Sequence, residues 1–148
     1  MNGCSMMFIE VEPPNQKIVA QQDTVSLYRI FIQKEFSIYI YRGTLKVRFG
    51  VNLPEWLIKL SEFLRSSNYK KINERLPLSG DRFLIEKKSD NLFSMLIYDL
   101  EIREESLIEF SGAELQMLHA KLVCELIEAV NIAAGKRTKI RGLEVLKI

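Results

Sequence analysis

The chain has 148 residues, the size of one ordinary domain, and its 47% hydrophobic and 27% charged content excludes a disordered or fibrous protein. No run approaches the ~18 consecutive apolar residues that a membrane-crossing helix needs. A formal net charge of +2 is too small to mark a chain that coats a polyanion, and two cysteines, Cys4 and Cys124, exclude a disulfide framework.

The opening Met-Asn-Gly-Cys-Ser-Met-Met holds no basic segment followed by an apolar one, so no secretory signal is expected, and Cys4 lacks the apolar stretch that a lipid attachment site has before it. A cytoplasmic protein is the expectation. Residues 1–23 read as partly irregular: one short strand near Met7 to Val11, then a loop through Pro13-Pro14 and Gln21-Gln22-Asp23. Val25 to Lys34 is apolar at Val25, Leu27, Ile30, Phe31 and Ile32, a mixed pattern that fits a strand buried on both sides for part of its length.

Residues 36–49 sort their side chains onto two faces more cleanly than any other stretch. A two-residue turn at Arg42-Gly43 pairs Tyr41 with Thr44, Ile40 with Leu45, Tyr39 with Lys46, Ile38 with Val47 and Phe36 with Phe49. Phe36, Ile38, Ile40, Leu45, Val47 and Phe49 then form a core wall. Ser37, Tyr39, Tyr41, Thr44, Lys46 and Arg48 form the opposite face, aromatic and cationic, which makes it a candidate binding surface.

The first helix has a start signal of its own: Asn52 as cap, Pro54 in the first turn, and Glu55 where the helix dipole favours an anion. Trp56, Leu57, Leu60, Phe63 and Leu64 recur at helical spacing, with Trp56 on the core side, and Ser66-Ser67-Asn68 ends the helix. Residues 69–82 read as a basic loop broken by Pro77 and Gly80. Strands follow at Phe83 to Lys88 and Leu92 to Tyr98 around the turn Ser89-Asp90-Asn91. A third covers Glu101 to Phe110, with a turn or bulge at Glu104-Glu105-Ser106 as an alternative. Ser111-Gly-Ala-Glu114 has capping-box spacing and opens a second helix that runs to about Gly135. Its buried stripe is Leu115, Leu118, Leu122, Leu126, Ala129, Val130 and Ala133, and Cys124 reads as a small core residue. Residues 136–148 are a basic tail whose apolar end can dock as a short strand.

The predicted fold is a single α+β domain over 1–148, antiparallel sheet with two main helices, in the order βββ-α-βββ-α. The near-neutral total conceals charge blocks: +4 over residues 24–50, −6 over 90–115 and +4 over 136–148. Segregation of this kind suits electrostatic steering toward a partner.

Catalytic and metal chemistry find little support. His119, the one histidine, sits beside the buried stripe of the second helix and reads as a satisfied boundary residue. One His and two distant Cys do not build a zinc site of the usual spacing, and the seven glycines form no phosphate or nucleotide loop. Carboxylates at Asp99, Glu101, Glu104 and Glu105 have the composition for acid–base work or a hard cation, but charges on the wet side of an edge strand explain them as well. An enzyme is not expected, and no cofactor is implied.

Phe36-Ser-Ile-Tyr-Ile, then Leu53-Pro-Glu-Trp-Leu-Ile-Lys-Leu, then Ser-Gly-Asp at 79–81 entering paired strands before a terminal amphipathic helix, resembles the small α+β immunity proteins of bacterial toxin/immunity systems over residues 25–133. That resemblance implies a protein partner, such as a toxin, with the acidic segment around Asp99, Glu101 and Glu105 answering a cationic active site. The topology is also similar to the single-strand-binding folds of the Whirly and transcriptional-coactivator type. That likeness implies a nucleic-acid ligand, and Tyr39, Tyr41, Lys46 and Arg48 supply stacking and phosphate-holding groups on the sheet. A protein partner is favoured, single-stranded nucleic acid is the alternative, and a homodimer through the exposed sheet face is a third arrangement.

Overall fold

The computed structural model describes residues 7–12, 23–27, 36–66, 71–75, 82–99 and 103–148. Its elements are β1 (Met7–Glu12), β2 (Thr24–Ser26), β3 (Phe36–Arg42), β4 (Leu45–Val51), α1 (Leu53–Arg65), β5 (Ile72–Arg75), β6 (Arg82–Ser89), β7 (Leu92–Asp99), β8 (Glu104–Phe110), α2 (Gly112–Ala134), β9 (Lys139–Arg141) and a 3-10 turn at Leu143–Leu146. This is an α+β fold with two antiparallel sheets, ordered β1-β3-β4 and β5-β6-β7-β8. Among the described residues four strands precede each helix, close to the expected order. A parallel pair, β2 with β9, joins the early chain to its C-terminal segment.

Local signals act where they stand. Asn52 accepts a hydrogen bond from the Glu55 backbone N–H at 3.2 Å to start α1. Ser111 and Glu114 complete a reciprocal capping box at the start of α2, and Gly135 ends it at φ +72°. Trp56 is fully buried and meets Phe83 edge-on, with ring centroids 5.7 Å apart; Phe63 meets Phe93 likewise at 6.0 Å. Side chains from both larger sheets, both helices and the C-terminal segment form one buried cluster.

The hairpin register differs from the expected one. Tyr39 pairs with Arg48, Tyr41 with Lys46 and Arg42 with Leu45, so the turn is Gly43-Thr44 and every pairing has moved by two residues. The cause is backbone handedness. Two-residue hairpin turns of the favoured types need a positive φ at their first central position, which is costly for Arg42 and natural for Gly43, found at φ +59°. A shift of two preserves the period-2 alternation, so the face assignment survives: Phe36, Ile38 and Ile40 are buried, whereas Lys46 and Arg48 are exposed.

Three other expectations are corrected, and a fourth lies mostly outside the described residues. Ile72–Arg75, expected as loop, is strand β5, which runs antiparallel to β6 as the edge of its sheet. The strand expected from Glu101 begins at Glu104, and the chain turns at Arg103 with φ +56° rather than at Glu104-Ser106. Of the strand expected over Val25 to Lys34, β2 covers Val25 and Ser26; positions 28–34 lie outside the described residues. Cys124 is exposed, because it falls two positions, about 200°, from both Leu122 and Leu126 and so faces away from the buried stripe. The C-terminal segment does dock: Ile140 and Leu146 are buried.

Among the described residues no helix is long and apolar enough to cross a membrane.

Candidate functional site

The candidate site is the outward face of β1, β3 and β4. β3 is its central strand, so the outward residues of β1 and β4 flank Tyr39 and Tyr41 on both sides. The first row across the sheet is Phe8, Tyr41, Lys46; the second is Glu10, Tyr39, Arg48. Glu12 stands beside Ser37 in the next. Alternation in Met7–Glu12 turns Phe8, Glu10 and Glu12 outward while Met7, Ile9 and Val11 are partly buried against the core.

The polar groups of this face are organised among themselves. The Tyr39 and Tyr41 rings lie nearly parallel, 15° apart with centroids 6.5 Å apart. Lys46 Nζ sits 5.4 Å from the Tyr39 centroid and 5.6 Å from that of Tyr41, and the Arg48 guanidinium lies 5.9 Å from Tyr39. Arg48 Nε donates to Tyr39 Oη at 3.2 Å, and its Nη2 donates to Ser37 Oγ at 3.2 Å. Tyr39 Oη donates in turn to Glu12 Oε2 at 3.2 Å, and Tyr41 Oη reaches Glu10 Oε2 at 3.5 Å. The result is a stripe of carboxylates, a stripe of phenols and a stripe of cations. Two anions balance two cations, and Phe8 is 59% exposed beside Tyr41.

Tyr39, Tyr41, Lys46 and Arg48 are therefore brought together. Glu105 is not with them: it is exposed on β8, an edge strand of the other sheet. The backbone of Asp99 ends β7 opposite Glu104, and Glu101 lies outside the described residues. Phe8, Glu10 and Glu12 belong to the surface although sequence reading left them out. A short strand near Met7 to Val11 is legible in the sequence, but nothing local says which strand it joins.

Arg42, expected as a turn residue, holds this sheet to the second one. Its guanidinium pairs with Glu114 Oε2 at 2.7 Å, donates to the Glu109 carbonyl, and lies 5.4 Å from the Phe110 ring. Glu114 thus both caps α2 through Oε1 and receives Arg42 through Oε2.

A second polar cluster is internal. Ser61 Oγ lies 2.7 Å from the Leu57 carbonyl, 2.9 Å from His119 Nε2 and 3.1 Å from the Leu146 carbonyl. Its single proton goes to a carbonyl, which makes His119 Nε2 the donor to Ser61 Oγ. Burial holds the His119 imidazole below its ordinary pKa; the Leu146 carbonyl opposes that shift and the positive charge of Arg65 reinforces it. Ser61 is fully buried and joins α1, α2 and the C-terminal segment. Among the described residues no group of three or more His, Cys, Asp or Glu side chains could hold a metal ion.

Comparison with protein-family models, with curated proteins and with solved structures finds no match for this chain.

Proposed function

We propose that the protein is not an enzyme and works by binding a protein partner through the face of β1, β3 and β4, as an immunity or inhibitor protein binds its target. The observation that carries this reading is the balanced stripe pattern: Glu10 and Glu12, Tyr39 and Tyr41, Lys46 and Arg48, with exposed Phe8 at one corner. Tyr and Arg are enriched among residues that dominate protein interfaces, and here the rings are held rigid, so little side-chain entropy is lost on docking. A cytoplasmic setting belongs to this reading, since the exposed thiol of Cys124 suits a reducing compartment.

Single-stranded nucleic acid is the second reading, favoured by Lys46 poised over two stacked rings. Against it stand Glu10 and Glu12, hydrogen-bonded to the same phenols and placed to repel phosphate.

The test is affinity capture from the source cells with the wild-type chain and the double variant Tyr39→Ala/Tyr41→Ala, whose fold is checked by melting. One stoichiometric protein is expected on the wild type and about tenfold less on the variant. Equal retention by both, or none by either, removes the reading. A labelled single strand at low salt is expected not to shift. A shift that collapses with added salt and with Lys46→Ala would move the assignment to nucleic acid.

A further inference from the structure

The outward face of the four-stranded sheet carries a second pattern, unrelated to the tyrosine face. Its strand registers line up Asn73, Leu84, Leu96 and Leu107 in one row across β5, β6, β7 and β8. The neighbouring row is Arg75, Arg82, Tyr98 and Glu105. Leu107 is 59% exposed, and Leu84, Leu96 and Tyr98 are each partly exposed, so an apolar band runs over β6, β7 and β8 in contact with water. Charge is segregated along it. Arg75 and Arg82 stand at the β5 side, whereas Glu105 and Glu109 stand at the β8 side, all exposed.

We propose that this face is the interface of a two-fold symmetric homodimer. The charge pattern selects the axis. A two-fold parallel to the strands, lying between two stacked sheets, places the β5 side of one copy over the β8 side of the other. Arg75 then faces Glu105 of the partner copy, Leu84 faces the partner copy's Leu96, and Leu107 lies over its Asn73, at the ~10 Å spacing of packed sheets. An in-plane axis across the strands puts arginine over arginine. Edge-to-edge pairing of two β8 strands brings acidic strands together, and the Glu109 carbonyl is already taken by Arg42. A second copy is thus the occupant whose charges answer the row of Arg75 and Glu105. The inference is independent of the function proposed for the tyrosine face, because its readout is the mass of the chain alone.

Sedimentation of the full chain tests it. A species of twice the 17.2 kDa chain mass is expected, dissociating on dilution. Leu107→Lys, at an exposed position that keeps the fold, is expected to give monomer with an unchanged far-ultraviolet spectrum. Arg75→Glu and Glu105→Arg are each expected to weaken the dimer about tenfold or more, and the double reversal Arg75→Glu/Glu105→Arg to restore it. A wild-type chain that stays monomeric into the millimolar range overturns the proposal. So does a dimer indifferent to Leu107→Lys, or a double reversal that fails to restore what each single one lost.

Discussion

Burial favours the neutral imidazole of His119, a residue only 5% exposed, and the nearby charge of Arg65 adds to this while the Leu146 carbonyl opposes it. The imidazole pKa in the folded chain lies below the ordinary 6.5, so between the two values the unfolded chain binds the extra proton. Stability contributed by the neutral ring is therefore complete above about 6.5. It falls as pH drops through that value and levels off once the folded group has also titrated. Thermal melts of wild type and His119→Gln between pH 8 and 5 check this: the wild type is expected to lose more of its melting temperature on acidification. At this scale the sequence was partly legible. Helical spacing alone puts Trp56 in the core, where it is fully buried; it puts His119 at the boundary of the stripe, and the structure buries it more deeply, at 5% exposure. Cys124 was misplaced by its chemistry: small and apolar in type, it sits on the wet side by angle.

Gly43 shows what single elements require. A Cβ there would meet nothing within 4 Å, so the cost of Gly43→Ala comes from backbone conformation alone, about 1 kcal/mol for a residue held at φ +59°. Gly43→Asn is expected to cost less, since Asn tolerates the left-handed region. Urea denaturation of the two variants measures the difference, and equal costs would place the turn elsewhere than Gly43-Thr44. The helices were readable because their signals are local: Asn52 and Pro54 begin α1, while Ser111, Glu114 and Gly135 bracket α2. Strand β5 was not readable, since Ile-Asn-Glu-Arg has no alternation of its own and becomes a strand by pairing with β6.

Across the whole molecule, the C-terminal segment closes the core. Arg65 Nη1 donates to the Val145 carbonyl at 2.6 Å and the Lys147 carbonyl at 3.0 Å, Leu146 is buried, and β9 lies beside β2. Arg65→Ala removes two charge-assisted hydrogen bonds and is expected to speed amide exchange in residues 143–147 while leaving the centre of α2 unchanged. Uniform acceleration throughout the chain would show that Arg65 stabilises the fold globally instead. The same scale separates what could be read from one dimension and what could not. Side-chain alternation over a few residues made Phe36, Ile38 and Ile40 inward and Tyr39 and Tyr41 outward in any register shifted by an even number. Capping residues likewise set the helix ends from within a single turn. That β1 lies against β3, bringing Glu10 and Glu12 to the tyrosines, and that Arg42 reaches Glu114 depend on contacts between residues 27 to 72 positions apart. No neighbour in the chain encodes such contacts; they follow from burying one shared apolar cluster.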